Sequence, residues 1–463
     1  MRSEAELKFS KWANMLIFFS GNLIAILFIS MMKFDYTSGN LLHFSLSLNF
    51  DLFSTVSLVV ITFILLVAYL YYQAIRILNK REIIEIYPRN TLHAYSSNPL
   101  LTVNNYSVPE LISLVKKVCQ KSDVNVKRIY LTVTPLPNAY TLNIPLFGSV
   151  LNINTNLIDI FSESELEAVI AHEIGHVRGR DAFFQLLWLS PSKYLQVIFF
   201  YLYFMLFAGI IDSLVINQNY VAIVIRAVIC AVIFALVQVF TFIMTVFIAR
   251  GQKAAELLSD IHAARITSPL ITINMLIQLG QRAEVIKVLM KEFQKMEALK
   301  PFHSNKKIST GDKQKLMRYI LYFPIWELDE RKAKAIAPYI YLVGELQRLK
   351  NTYLTPLSDW EIMNLAYQSV ENIVKNKKIP IEEEESEKTD KLTRDWRDFD
   401  YNKNVHLEEE ELQVFIDHLS QVPNKFMFKS EIGVNPLLKD HPDIRKRIIN
   451  VYSVVNEEKL TEV

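Results

Sequence analysis

The sequence predicts an α+β, mostly helical fold, held in a membrane by about four transmembrane helices and carrying a cytoplasmic domain with a small β-sheet. Three observations lead there. Four long apolar runs divide the chain. Between the second and third runs, short stretches alternate polar and apolar residues as strands do. Beyond the fourth run the sequence is charged and reads mostly at helical period.

Composition narrows the class. Of 463 residues, 51% are hydrophobic, and the mean hydropathy is +0.18. Both argue against a wholly soluble or disordered chain. Fifty basic and 48 acidic side chains leave a net charge of +2, so no electrostatic case exists for a nucleic-acid partner. Two cysteines, Cys119 and Cys230, exclude a disulfide framework and a zinc or iron–sulfur site built from cysteine alone.

The apolar runs are residues 15–32, 52–75, 194–211 and 221–249. A spanning helix needs about 20 mostly apolar residues, and each run approaches or exceeds that. Core helices rarely sustain such length without charge. The first run lacks a small-residue cleavage pattern before Lys33 and reads as a retained anchor, not a signal peptide. Basic residues cluster on one side of the runs: Arg2, Lys8 and Lys11, then Arg76, Lys80 and Arg81, then Arg178 and Arg180, then Arg250 and Lys253. The opposite loops, 33–51 and 212–220, hold a single lysine between them. The positive-inside rule therefore puts both termini and the segment after run two in the cytoplasm. Arg226, near the outer end of run four, reads as a snorkelling side chain.

The cytoplasmic elements follow in order. ELISLVKKVCQK has an amphipathic helical pattern. KRIYLTV alternates as a strand, PLPNAYTLNI bends and then extends, and GSVLNINTNLI reads as a third strand. FSESELEAVIAHEIGHVRGRD opens with Ser162 and Glu165 three apart, a capping-box signature. AAELLSDIHAARI continues helically past run four. The acidic run 382–385 reads as a solvated loop. The expected units are residues 1–80 (first two spans), 81–184 (first half of the cytoplasmic domain), 185–250 (last two spans), 251–280 (a further helix), 281–430 (a charged, mostly helical extension) and 431–463.

The sharpest chemical signal is His172-Glu173-Ile174-Gly175-His176. Residues four apart on a helix share a face. Two imidazoles so placed can bind one Zn²⁺, and the glutamate between them can serve as general base. A catalytic zinc takes a third protein ligand and keeps one position open. Glu256 is the best candidate, with Asp260 one turn later placed to accept a hydrogen bond from a ligating imidazole.

AHEIGH followed by E-x-x-x-D resembles the gluzincin membrane peptidases of the HtpX and CAAX prenyl endopeptidase group. PNAY, from Pro137 to Tyr140, is similar to that group's edge-strand motif beside the substrate cleft. LKDHPDIRKRI is similar to its C-terminal His-Pro…Arg motif. The resemblance implies a gluzincin-type catalytic domain with His172, His176 and Glu256 as ligands of one Zn²⁺ per chain and Glu173 as catalytic base. It implies that His441 and Arg447 bind the scissile carbonyl oxygen or orient substrate. Asn138, Ala139 and Tyr140 become substrate-binding positions. His262, two residues past Asp260, reads as a packing or surface residue. Residues 281–430 form a longer insertion than a compact HtpX carries.

The expected function is zinc-dependent hydrolysis of peptide bonds in membrane-associated proteins at the cytoplasmic face, in membrane-protein quality control. The expected partners are membrane or membrane-tethered polypeptides and the bilayer, in a bacterial inner membrane. Processing of one lipidated or membrane-anchored substrate is the alternative within enzymes. A non-catalytic metal-binding scaffold would need a fourth protein ligand, which the sequence does not offer. A transporter would need paired internal acids and broken helices in matched halves. Asp398, Asp400, Asn402 and Glu409 also stand at calcium-loop spacing, but Lys403 sits where that loop requires glycine; this reads as an acidic surface loop.

Overall fold

The computed structural model describes residues 3–30, 33–37, 40–45, 52–78, 83–87, 108–132, 134, 137–144, 148–181, 203, 207, 210–211, 214, 220–298, 310–320, 328–353, 358–376, 391–432 and 441–461. Helices dominate, with one small mixed sheet at the centre and a separate hairpin.

Two long helices come first, α1 (Glu4–Ser30) and α2 (Leu52–Leu78), and they coincide with runs one and two. Between them β1 (Lys33–Thr37) and β2 (Asn40–Ser45) pair antiparallel, where the sequence reading placed only a loop. β3 (Ile83–Tyr87), α3 (Val108–Ser122), β4 (Arg128–Thr132), β5 (Ala139–Ile144) and β6 (Gly148–Asn154) follow. The sheet order is β3-β4-β6-β5. β4 runs parallel to β6, with Ile129 opposite Leu151, and the other pairings are antiparallel. Three of these strands match the extended segments read from the sequence, while β3, IIEIY in sequence, was not anticipated. The third expected strand also stops early: after Asn154 the chain turns into α4 (Thr155–Ile160).

α3 buries Val108, Leu111, Leu114, Val115, Val118 and Cys119, the i, i+3, i+4, i+7 stripe that an amphipathic helix lays on a sheet. The next helix, α5 (Glu163–Arg178), carries the HExxH string and is capped as expected. The Ser162 hydroxyl accepts from the Glu165 amide, and the Glu165 carboxylate accepts from the Ser162 amide. The helix is not amphipathic in place: every residue from Glu165 to Val177 is buried, because the sheet, α3 and later helices enclose it.

Run three falls almost wholly outside the described residues. Run four begins α6 (Tyr220–Ile266), a single helix of 47 residues, about 70 Å long at 1.5 Å per residue. Its outer part leaves Val224, Val228, Phe234, Leu236 and Phe242 exposed, while Ala249, Ala254, Ala255 and Ile261 are buried. Among the described residues it is the one helix long and apolar enough to cross a membrane, by length and composition. α1 lies antiparallel to it. Gly21 faces Met244, Lys11 and Met15 face Gly251, and Leu7 packs with Ala254 and Ile261.

α7 (Pro269–Ala298), α8 (Thr310–Tyr319), α9 (Glu330–Tyr353) and α10 (Asp359–Asn376) come next, then α11 (Glu409–Gln421) and α12 (Ile444–Thr461). The described residues between 281 and 430 enter separate cores, with Val343 of α9 and Ile362 and Ala366 of α10 forming a small one. Val285, Leu289 and Phe293 of α7 form a core with Leu316, Tyr319, Ile340 and Tyr341. Trp396, Phe399, Leu412, Phe415 and Phe428 instead join the main core with Leu151, Ile153, Ile170 and Ile174. The acidic run 382–385 lies outside the described residues.

Candidate metal centre

Two helices build the centre. His172 and His176 stand one turn apart on α5, and Glu256 faces them from α6. Gly175 allows the approach: a Cβ there would sit 3.0 Å from the Ser259 Cα, at the limit of any real contact. A glycine inside a helix costs about 0.5–1 kcal/mol relative to alanine; here it lets two backbones meet.

The Nε2 atoms of His172 and His176 lie 3.2 Å apart. The Glu256 carboxylate closes the triangle, 3.7 Å from His172 Nε2 and 3.5 Å from His176 Nε2. The opposite ring nitrogens face carboxylates. His172 Nδ1 is 2.9 Å from Asp260 Oδ1, and His176 Nδ1 is 3.2 Å from Asp181 Oδ2. The Ser259 hydroxyl also lies 3.1 Å from His176 Nδ1. When Nδ1 of each ring donates to its carboxylate, both Nε2 lone pairs point at one spot beside a carboxylate. Acceptors so crowded repel one another unless a cation lies between them. All three side chains are buried, and the N₂O donor set suits zinc.

The field agrees. Burial resists the charged form of His176, but Asp181 and Glu256 outweigh it and hold its pKa well above the ordinary imidazole value. Burial likewise disfavours the Glu256 carboxylate, and His441 and His176 outweigh it, keeping Glu256 well below the usual range. Asp260, fully buried, is lowered because Arg447 and His172 outweigh its desolvation. Glu173 goes the other way: burial raises it, although His176 and His172 pull against the rise.

A cleft of about 730 Å³ opens over the centre, lined by Asn138, Ala139, Tyr140, His172, Glu173, His176, Glu256, His441 and Arg447 among others. Every site residue expected from the sequence except Asp260 therefore lines one cavity, and Asp260 lies behind it. β5 forms one wall. It pairs with β6 on one side, and no other described strand covers its second edge. His441 sits at the mouth, 63% exposed, with Nδ1 3.0 Å from Glu256 Oε1. Arg447 takes a place the motif did not suggest. It forks onto Asp260, Nε to Oδ2 at 2.7 Å and an Nη to Oδ1 at 2.6 Å, and comes within 3.6 Å of Glu256. His262 packs as read, between Ser122 and Arg178, with its pKa depressed to about 4 by burial and the nearby Arg178.

Sequence reasoning missed Asp181, Ser259 and Lys11. Asp181 follows His176 by five residues, across the turn in which Arg180 adopts φ 58°; that spacing was a usable signal. Ser259, beside Asp260, had no distinguishing signal. Lys11 is far away in sequence, and only the fold brings it near. The calcium-like pattern does not gather into a site. Asp398 pairs outward with Arg394, Asp400 accepts the amides of Asn404 and Val405, and Glu409 is exposed at the start of α11.

Residues 107–311 match the family model described as Peptidase family M48. The matched region takes in α5 and Glu256 and stops well before His441. A Protease HtpX homolog 1 of Saccharolobus solfataricus is 27% identical over 162 residues, 33% of this chain and 48% of that protein. A Protease HtpX homolog of Thermoplasma volcanium is 34% identical over 100 residues, 21% of this chain and 31% of that protein. One from Moorella thermoacetica is 35% identical over 79 residues, 17% of this chain and 26% of that protein. The chain thus spans about half, or less, of the length of these curated relatives. No solved structure matches it.

Proposed function

We propose that this chain, whose central region matches Peptidase family M48 and is similar to HtpX homologues, is a zinc-dependent integral membrane endopeptidase acting on membrane-associated proteins. The observation that carries the proposal is the convergence of His172 Nε2, His176 Nε2 and the Glu256 carboxylate, with each imidazole held from behind by a carboxylate.

In this reading His172, His176 and Glu256 hold one Zn²⁺, which when bound supplies an acidified water and polarises the scissile carbonyl. Glu173 would take a proton from the attacking water and return it to the leaving amine. Burial raises its pKa above the ordinary carboxylate value, the direction that suits a group that both accepts and returns a proton. The open edge of β5, with Asn138, Ala139 and Tyr140, aligns the substrate backbone as an added strand. His441, exposed at the cleft mouth, is placed to donate to the developing oxyanion. Arg447 fixes Asp260 and through it the tautomer of His172.

The membrane part of the proposal rests on α6. Glu256 lies seven residues after Ala249 on the same helix, about 10 Å past the end of run four. A cleft so close to the bilayer favours polypeptides tethered to or drawn from it. Four spans, with both termini and the cleft in the cytoplasm, follow from the apolar runs and the basic flanks. The antiparallel packing of α1 on α6 agrees, since it puts the N-terminus on the side of Glu256. Clearance of damaged membrane proteins is the role this placement suits best.

The test is metal dependence of the purified full chain on an unfolded membrane-protein reporter. A zinc chelator should abolish cleavage and stoichiometric zinc should restore it; cleavage that persists in chelator overturns the proposal.

A further inference from the structure

The first helix of the chain reaches the metal centre. Lys11 of α1 is only 3% exposed, an unusual place for an ammonium group. Its Nζ contacts Asp181 Oδ1, and it donates to the Gly179 carbonyl at 2.6 Å. Asp181, also 3% exposed, turns its other oxygen to His176 Nδ1 at 3.2 Å. A continuous buried chain therefore runs from Lys11 through Asp181 to His176. Gly179 makes room for it: a Cβ there would stand 2.7 Å from Asp181 Oδ2 and 3.0 Å from Lys11 Nζ.

We propose that Lys11 is a positioning residue for the zinc site, acting through Asp181 on His176. This rests on the zinc reading above. A buried carboxylate is held in place by its paired charge, and removing one partner of such a pair is strongly unfavourable. Lys11 fixes Asp181 with its other oxygen on His176 Nδ1, and this orients the ring so that Nε2 faces His172 and Glu256. Without Lys11, the Asp181 carboxylate loses the contact that sets its orientation, and with it the hold on the His176 ring. The same ammonium sits at the C-terminal end of α5, where a cation also favours the helix carbonyls. Asp260 and Arg447 form the matching pair behind His172. The two halves of the ligand set are thus locked from opposite directions, one by the C-terminal helix and one by the first apolar helix. Zinc retention is then coupled to the seating of α1 against α6.

The experiment uses the full chain in detergent and measures the zinc dissociation constant by competition with a chromophoric chelator. The variants are Lys11→Met, Lys11→Arg and Asp181→Asn, with hydrolysis at saturating zinc recorded in parallel. Loss of an outer partner of a metal-binding histidine typically weakens metal affinity about 10–100-fold. Lys11→Met should weaken zinc binding within that range, with hydrolysis largely recovered at saturating zinc, and Lys11→Arg should recover most of the affinity. Adding Lys11→Met to Asp181→Asn should weaken binding little further, since the lysine acts through that carboxylate. Wild-type affinity in Lys11→Met overturns the inference, as do equal losses in the Met and Arg variants. Should Lys11→Met fail to accumulate, Asp181→Asn breaks the same chain from the other end, and an unchanged constant there overturns it. A wild-type chain that binds no zinc refutes the proposed function instead, so the two failures are distinguishable.

Discussion

At the residue scale the chemistry turns on which carboxylates are charged and which histidine nitrogens they hold. Glu256 and Asp260 are held ionised by the cations around them, whereas Glu173 is pushed toward its neutral form by burial. Such a split between neighbouring acids separates the ligand from the base. Arg447 belongs to this scale as well. Replacing it with methionine leaves Asp260 buried without its cation. The expected result is zinc affinity about 10–100-fold weaker, measurable by chelator competition. A kcat loss at unchanged zinc affinity would instead put Arg447 on the substrate. A second ion pair joins Glu165, at the first turn of α5, to the half-exposed His406, with Nε2 3.0 Å from Oε1. The contact raises His406, while Glu165 is lowered because His406 and Ser162 outweigh its burial. Stabilisation from the raised histidine is full below its unfolded value and fades as pH rises through the folded one. Stabilisation from the lowered glutamate is present above its unfolded value and fades on acidification. Their pairing therefore contributes most in mildly acidic solution. His406→Gln should lower stability there by up to about 1 kcal/mol, given the exposure of the imidazole, and by less near pH 9. Thermal melts at the two pH values measure the difference; an equal loss at both would mean that the charge is not involved.

At the scale of elements, the crossing of α5 on α6 decides whether the site exists. The helix with HExxH was legible because its cap, Ser162 with Glu165, and its metal spacing both lie within a few residues of one another. Its total burial was not legible, because nothing local announces that the sheet, α3, α6 and α7 will all close around it. The short strands were read where polar and apolar residues alternate. β3 was missed because IIEIY is brief and stands apart from the other strands in sequence. The β1–β2 hairpin was missed because it sits between two apolar runs that drew the whole reading. Gly175 had no meaning in sequence beyond an x position, yet its missing Cβ sets the distance between the helices. Gly175→Val should push α5 off α6 and cost about 1–3 kcal/mol through overpacking. Because that displacement parts His176 from Glu256, zinc content should fall together with the melting temperature. A variant with full zinc and wild-type stability would show that the close approach is not needed.

At the scale of the whole molecule, contacts between distant parts of the sequence complete the centre. Lys11, Asp181, Asp260 and Arg447 come from four separate segments, and pattern reading found Asp260 and Arg447 but not the other two. Arg447 was found through its motif, but its partner was not, because a fork onto Asp260 is a tertiary fact. The charged stretch after α6 read as one helical extension. Aromatic residues from 396 to 428 instead enter the main core, while α7, α8 and α9 build a smaller one. The proposed topology is testable at this scale in a variant lacking Cys119 and Cys230. A reporter cysteine at Ser162 should resist an impermeant thiol reagent in intact cells, and one at Asn217 should react. The reverse pattern would place the cleft on the outer face. The central claim, that Glu173 moves the proton for a zinc held by its neighbours, is tested most directly by a Glu173→Gln variant of the full chain. Its zinc content and its rate on a membrane-protein reporter are measured together. The account predicts one bound zinc per chain and a rate lowered at least about 100-fold, the lower end of what a general base contributes; full zinc with an unchanged rate would contradict it.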